Sequence, residues 1–328
     1  MKSVTLLAVA AVLLAACSST TATPTPVTSA PSNSAVPSSS APVTFPITIT
    51  SDDVEMPPAV KEAPAAGAPQ RIITLAKGVG ETVVALGGGN RMVGRDEASD
   101  VDQIADLPIV TKAHSTNAEK VLSLSPDLVI VDKSTTPPEA LTQIKNAGVK
   151  VVSIPEAWAM QDIAARTRAV AEAIGASPTT ADAVIAESTR ETGSPAASGT
   201  NKPKVLFLYV RGTSAIYLVG GKGSGADALI DAAGGEDMGS ANGYGPFTPL
   251  TAEAIASMNP DVILVMTKGL ESVGGIDGLA NLPGVAQTSA GKNHKVIAVD
   301  DTLLLSFGPR TGALVDALRT AIAAAAKG

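Results

Sequence analysis

The 328-residue chain carries a net charge of −7, one cysteine, two histidines and only 2% aromatic residues. This acidic balance argues against nucleic acid as a partner, and so few aromatic side chains leave little on which bases could stack. A single cysteine excludes an internal disulfide, and the length favours two domains because few single cores grow so large.

Residues 1–16 are predicted to be a signal peptide. Lys2 provides a positive start, and the apolar run over 4–16 is shorter than the roughly 20 residues that span a bilayer. A membrane anchor helix is the alternative for this run. The run ends in Leu14-Ala-Ala-Cys17, which resembles a bacterial lipobox, so Cys17 is predicted to be lipidated. The protein would then be anchored to the outer face of the cell membrane through several acyl chains.

The next segment is expected to be a disordered tether. Residues 18–46 consist mainly of Ser, Thr, Pro and Ala, without charged residues. Such a composition buries too little apolar surface to offset the entropy of ordering the chain. The predicted tether covers residues 17–67, and the folded part is expected to begin at residue 68.

Short apolar runs alternate with helical patterns in the first part of the folded region. The runs at 71–75, 92–94, 128–132 and 149–154 predict strands. The patterns at 81–86 and 138–145 predict helices, the second opened by Pro138. This alternation favours an N-terminal α/β lobe over 68–158, with a parallel sheet covered by helices.

A mainly helical pattern over 159–193, with a break at Gly175-Ala-Ser-Pro178, predicts a helix that links this lobe to a second one. Strand-like runs at 204–209, 262–266 and 295–299 alternate with a helix at 226–233 in the second α/β lobe, predicted over 203–328. The predicted fold class is therefore α/β, with two Rossmann-like lobes joined by a long helix.

An internal repeat supports two related lobes. Residues 117–131 align without gaps on residues 251–265, and each copy has Ala-Glu, six residues, then Pro-Asp and an apolar run. Glu119 and Glu253 occupy the first helical turn of the two copies, where the helix dipole favours an acidic residue. The alternative is chance, since αβ units often share this order of residues.

Five stretches carry a resemblance to a known family: PQRIITLAKGVGETVVALGGGNRMVGRD, NAEKVLSLSPDLVIVD, GKGSGADALIDAAGGED, FTPLTAEAIASMNPDVILVMTKGLESVGGIDGLANLPGV and LLLSFGPRTG. Together they resemble the haem-binding lipoproteins of actinobacterial ABC transporters, within the periplasmic binding protein group for haem, siderophores and cobalamin. The resemblance implies a nearly rigid linking helix, a ligand between the lobes, and docking onto a membrane permease through Glu119 and Glu253.

The resemblance, together with the chemistry of haem iron, directs attention to histidine and tyrosine. His114 lies in a polar loop of the first lobe, and Tyr209 ends a strand of the second. In haem-binding relatives a tyrosine with an arginine two residues on opposes the histidine, and Tyr209-Val-Arg211 matches that pattern. Both side chains should point to one side of the strand, so Arg211 is predicted to stabilise the Tyr209 phenolate. The alternatives are a solvent-facing histidine and a tyrosine with its ring in the core.

Further candidates come from loop position. Tyr244 is the second choice for the iron ligand, because many relatives place the tyrosine just before a Pro-Leu-Ser/Thr element, where this chain has Phe247. Arg95 and Arg310 are candidates for the haem propionates. The residues expected to line an apolar slot are Trp158, Tyr217, Phe247, Met266 and Phe307; His294 is expected to be merely exposed.

Other classes of protein fit less well. The chain lacks a complete phosphate-loop, dinucleotide or nucleophile-elbow motif, so an enzyme is not expected. Two distant histidines cannot supply the ligand set of a zinc or manganese carrier. A ferric-siderophore or cobalamin carrier with the same fold remains the alternative to haem, and a purely structural surface protein is the other class kept.

Overall fold

Strands and helices alternate along the chain in the computed structural model, which describes residues 43–112, 115–190, 202–249 and 251–327. The strands are β1 (Ile47–Ile49), β2 (Ile72–Thr74), β3 (Met92–Gly94), β4 (Thr111–Lys112), β5 (Ser115–Thr116), β6 (Leu128–Val131), β7 (Lys150–Ser153), β8 (Lys204–Arg211), β9 (Ile216–Gly220), β10 (Glu236–Asp237), β11 (Phe247–Pro249), β12 (Val262–Met266) and β13 (Val296–Val299). The helices are α1 (Val79–Ala85), α2 (Ala118–Ser123), α3 (Pro138–Asn146), α4 (Asp162–Ile174), α5 (Pro178–Ser188), α6 (Ala226–Ala232), α7 (Met238–Ala241), α8 (Ala252–Met258), α9 (Thr267–Ser272), α10 (Gly275–Ala280), α11 (Ser289–Lys292) and α12 (Thr311–Lys327).

The N-terminal lobe is built on a parallel sheet with the strand order β3-β2-β6-β7. Its two faces are buried separately. Ile72 and Ile130 pack on the side of α1, α4 and α5, whereas Ile73 and Val129 pack on the side of α2 and α3. Strands buried on both faces are nearly continuous apolar runs, which is the pattern seen in the sequence.

The C-terminal lobe contains a larger sheet with the order β1-β13-β12-β8-β9-β11, and β10 pairs with the first two residues of β8. The pairs β8–β9 and β9–β11 are antiparallel, and all other pairs of this sheet are parallel. One face packs against α6 and α12, and the other packs against α8 to α11. The described residues thus confirm two α/β lobes.

The N-terminal boundary of the fold differs from the predicted one. Ile47 and Ile49 of β1 pair with Ile297 and Val299 of β13, and Val54 is completely buried. Farther along, the Val60 amide donates to the carbonyl of Ala85 in the N-terminal lobe. Residues 43–67 therefore belong to the folded part rather than to the tether, because the short Ile-Thr-Ile run gains apolar burial and a strand partner.

The connection between the lobes is formed by two helices rather than one. The chain breaks at Gly175, which has a left-handed φ of 75°, and Ser177 caps α5 through a bond from the Thr180 amide. Helix α4 starts in the C-terminal core with Ile163 and ends in the N-terminal core with Ile174. Helix α5 leads back, and the backbone after it packs closely on Gly312 at the start of α12.

Polar side chains join the lobes beneath these helices. Arg310, just before α12, donates to the carboxylate of Glu81 in α1 at 2.5 and 3.1 Å, and both side chains are almost fully buried. Burial raises the pKa of Glu81, and Arg310 opposes that shift. Arg166 of α4 donates to the carbonyls of Lys77 and Ser306, which belong to opposite lobes. Within the described ranges, no helix has the length and apolar character required to cross a membrane.

Replacing Arg310 by methionine should lower the free energy of unfolding by about 3–5 kcal/mol, because the Glu81 carboxylate would stay buried without its partner. Urea unfolding measures this loss. The double variant Glu81→Met/Arg310→Met should recover most of it, since no charge remains buried. Arg168→Met is the control, because its ion pair with Asp182 is exposed and should contribute at most about 1 kcal/mol. Equal losses for the Arg310 and Arg168 variants would contradict the role of the buried pair.

Candidate functional site

A cleft of about 440 Å³ lies between the lobes. On the N-terminal side it is lined by the segments that follow the carboxyl ends of β2, β3, β6 and β7. On the C-terminal side it is lined by the ends of β8 and β12, by the loop after β13, and by one residue each of β9 and β11. Ligands of open α/β sheets bind at the carboxyl ends of the strands, so the topology itself creates this site.

Tyr209 lines the cleft from β8 and is held by two neighbours. Its ring meets that of Phe247 edge to face, with 5.6 Å between the centroids. The guanidinium carbon of Arg211 lies 4.7 Å from the centroid of the Tyr209 ring. An aromatic pair and a cation over the ring restrict the orientation of the tyrosine, so its phenol group is positioned in advance.

Arg211 has another partner besides the ring. Its Nη2 donates to Oδ1 of Asp301 at 2.6 Å, and its Nη1 donates to the carbonyl of Val210. The second oxygen of Asp301 accepts from the Lys268 amide. Arg211 therefore makes a cation–π contact with the face of the Tyr209 ring, and Asp301 holds the guanidinium in place. The spacing of Tyr209 and Arg211 in the sequence did not indicate the role of Asp301.

The N-terminal side of the cleft contains charged residues that the sequence analysis missed. Arg166 is buried and lies 3.8 Å from the carboxylate of Asp132, and burial lowers the pKa of Arg166. Lys77 follows β2, and its Nζ donates to the carbonyl of Leu304 in the other lobe at 2.9 Å. Burial lowers the pKa of Lys77 to about 8. Lys77 could have been predicted, because it comes shortly after the end of a predicted strand, where ligands of α/β sheets bind. Arg166 lies within a helical pattern, and nothing in the sequence around it indicated a place in the cleft.

Asp96 also lines the cleft, but its carboxylate accepts hydrogen bonds from residues of its own loop. Its two oxygens accept from the Ala98 amide at 2.8 Å and from the Ser99 hydroxyl at 2.6 Å. Burial raises the pKa of Asp96, and these hydrogen bonds oppose the shift. Among the residues that the structure describes, no cluster of three or more His, Cys, Asp or Glu side chains could hold a metal ion on its own.

Two predicted propionate partners lie outside the cleft. Arg95 is buried and donates to the carbonyls of Ser99 and Ala105, both at 2.8 Å. Arg310 is occupied by Glu81. The prediction that either arginine meets a ligand carboxylate is corrected, because the Nη groups of Arg95 donate to backbone carbonyls and the guanidinium of Arg310 is paired with Glu81.

The aromatic candidates divide between the two faces of the C-terminal sheet. Trp158, Phe247 and Met266 line the cleft. Tyr217 and Tyr244 instead pack against the core on the side of α8 to α11, while Phe307 is buried against Gly225. Tyr244 as the second choice for an iron ligand is therefore corrected: it follows a helix that covers the other side of the sheet.

The remaining predicted residues lie at the surface or outside the described part of the chain. Glu119 and Glu253 are exposed in the first turns of α2 and α8, which Asn117 and Thr251 cap. His294 is exposed. His114 and Cys17 lie outside the described residues. The strands that flank His114, β4 and β5, pair with each other, and Thr111 of β4 lines the cleft.

Two α/β lobes with a cleft at the carboxyl ends of their strands, joined by helices that span both, define a two-lobed ligand-binding protein. The model of the periplasmic binding protein family matches residues 72–303. The chain belongs to this family, whose members are the extracytoplasmic substrate-binding proteins of ABC transporters and not enzymes.

Similar solved structures and relatives agree with this assignment. The periplasmic haem-binding protein RhuT from Roseiflexus sp. RS-1 is 38% identical, with a TM-score of 0.72 over 78% of this chain and 99% of that one. The haem-binding protein HmuT is 32% identical, with a TM-score of 0.73 over 84% of this chain and 97% of its own. HmuT variants with alanine in place of a histidine, a tyrosine or an arginine are similar as well, and that tyrosine and arginine are two positions apart.

Curated relatives are more distant. An uncharacterized ABC transporter substrate-binding lipoprotein of Bacillus subtilis, YvrC, is 27% identical over 254 residues, which are 74% of this chain and 76% of the relative. A vitamin B12-binding protein of Vibrio parahaemolyticus is 24% identical over 206 residues, 62% of this chain and 74% of the relative.

Proposed function

We propose that this protein captures haem in the cleft between its lobes and delivers it to an ABC importer. The observation that carries the proposal is Tyr209, which lies in the cleft between Phe247 and Arg211. A phenolate oxygen is an axial ligand of haem iron, and Arg211 places a positive charge over the ring of Tyr209. The haem-binding proteins RhuT and HmuT, similar over most of this chain, support the proposal.

The second axial ligand in this proposal is His114 of the N-terminal lobe. Thr111, three residues earlier, lines the same cleft from the N-terminal lobe. An imidazole from one lobe and a phenolate from the other would hold the iron from both sides. The replaced histidine, tyrosine and arginine in the HmuT variants are the same residue types as His114, Tyr209 and Arg211, with the same spacing of the last two.

The porphyrin ring needs apolar walls. Trp158 and Leu75 offer them from the N-terminal side, and Phe247, Leu218 and Met266 offer them from the C-terminal side. Trp158 and Phe247 are more than a third exposed, so a flat ring would cover apolar surface that is now in contact with water. An apolar slot of this kind, with a few oriented polar groups, is the usual form of a small-molecule site.

The proposal also covers the attachment of the protein to the membrane and its docking onto the permease. Residues 1–16 are removed as a signal peptide, Cys17 carries the lipid anchor, and the Ser/Thr/Pro-rich segment up to residue 42 serves as the tether. YvrC is described as a lipoprotein. The exposed Glu119 and Glu253 lie at equivalent places in the two lobes, so both can meet basic residues of a two-fold symmetric permease.

Hemin added to the purified protein should give a saturable tyrosinate-type visible spectrum. Tyr209→Phe should lose that spectrum and weaken hemin binding at least tenfold, because the phenyl ring keeps the packing and removes the oxygen. His114→Ala should alter the spectrum and leave the tyrosinate contribution in place. Tyr244→Phe, on the other face of the sheet, is the matched control and should bind as the unchanged protein does. Binding of cobalamin or a ferric siderophore without hemin would contradict the proposal.

Charge reversal at the two exposed acids should impair delivery and spare capture. Glu119→Arg and Glu253→Arg should each lower hemin uptake through the importer in reconstituted vesicles, and the effect should shrink at high salt because the contacts are exposed. Hemin affinity should not change. Glu139→Arg reverses an acid in the first turn of α3 and serves as the control. Uptake by both variants at the rate of the control would contradict the docking assignment.

A further inference from the structure

Among the described residues, three basic side chains line the cleft, and two of them already face carboxylates. Arg211 forms an ion pair with Asp301 at 2.6 Å. Arg166 lies 3.8 Å from Asp132 and donates to two backbone carbonyls. A ligand anion would have to compete with these carboxylates, so neither guanidinium is a ready anion site.

Lys77 is the third, and it differs. It makes no ion pair with any carboxylate among the described residues, and its Nζ donates to one carbonyl, that of Leu304. An ammonium group has three N–H donors, so two remain for a ligand. The side chain is half-buried at the base of the cleft, where it starts in the N-terminal lobe and contacts the C-terminal one.

The charged residues around Lys77 influence both its own charge and the charge of the group that it can bind. Asp96 and Asp301 favour its charged form, whereas Arg166 and Arg211 oppose it. The other acidic residues that line the cleft are Glu97, Asp132 and Glu156. Asp132 is occupied by Arg166, and Glu156 places negative charge on the N-terminal wall, which disfavours a ligand anion there. An anionic group on the ligand would therefore be directed to Lys77, where a partly desolvated cation gains a partner.

We propose that Lys77 forms a carboxylate subsite at the base of the cleft, where its ammonium group binds a carboxylate of the captured ligand. The inference rests on the proposed function, since haem brings a propionate to this position beside an apolar ring. The subsite orients the ring, because the carboxylate edge must point to Lys77 and the apolar faces to Trp158 and Phe247. It also makes capture select for ligands that carry a free carboxylate.

The subsite has a pH dependence of known sign. With a pKa of about 8, Lys77 is mostly charged at pH 7 and loses its charge as the pH rises through 8. A bound carboxylate favours the charged form, so ligand binding on the alkaline side is accompanied by proton uptake. The contribution of the carboxylate to affinity should therefore decline between pH 7 and pH 9.5.

The test compares hemin with hemin dimethyl ester, in which both carboxylates are blocked and the iron and ring are unchanged. Quenching of Trp158, the single tryptophan of the chain, measures binding of both ligands. The unchanged protein should prefer hemin over the ester at least tenfold at pH 7, and this preference should decline by pH 9.5. Because iron ligation is common to both ligands, the ratio isolates the carboxylate.

Lys77→Met should bind the ester as the unchanged protein does and should bind hemin no better than the ester, at every pH. Lys77→Arg keeps a charged donor and should retain the preference at pH 9.5. Lys133→Met removes a charge from an exposed residue beside the cleft residues Asp132 and Ser134 and should leave the preference intact.

The outcomes separate the two proposals. Hemin binding with the full preference retained in Lys77→Met, or no preference in the unchanged protein, would overturn the carboxylate subsite and leave haem capture standing. Failure of both hemin and its ester to bind would overturn haem capture and the subsite with it.

Discussion

The buried ion pair between Glu81 and Arg310 is the contact on which the rest of the structure depends. It joins α1 of the first lobe to the start of α12 in the second, and each charge has lost its contact with water and depends on the other as its partner. Helix α4 spans the same junction, and α5 packs against α12. The ion pair and the helices therefore connect the two lobes at their junction.

The side chains that line the cleft are oriented by their neighbours. Tyr209 is oriented by Phe247 and Arg211, and Arg211 is in turn held by Asp301. These contacts restrict the rotamers of Tyr209 and Arg211, which lowers the side-chain entropy that binding would cost. The two arginines in the cleft face carboxylates of the protein, Arg211 facing Asp301 and Arg166 facing Asp132. Lys77 instead donates to a single carbonyl, that of Leu304. Contacts of this type suit a substrate-binding protein, whose side chains must meet a ligand in a defined orientation.

The sequence was sufficient for the architecture and for one wall of the site. Apolar runs separated by helical patterns predicted the two lobes, and the alternation along a strand placed Tyr209 and Arg211 on one side of β8, where both line the cleft. The break at Gly175 was visible as well, although its consequence, a pair of helices that leads to the second lobe and back, was not.

What the sequence could not supply were contacts between distant positions. Glu81 and Arg310 are separated by 229 residues, and nothing local distinguishes Arg310 from an arginine that faces a ligand. Arg95 was misjudged for the same reason, because its partners are backbone carbonyls formed by the folded loop. Strand β1 was missed because three residues in a Pro-rich region carry little signal until β13 offers them an edge.

The most direct measurement is a crystal structure of the protein with hemin, with the iron located by its anomalous scattering. We expect an iron peak between the lobes, within bonding distance of the Tyr209 oxygen and with the porphyrin between Trp158 and Phe247. An iron peak beside Tyr244, or on the outer surface of either lobe, would contradict it.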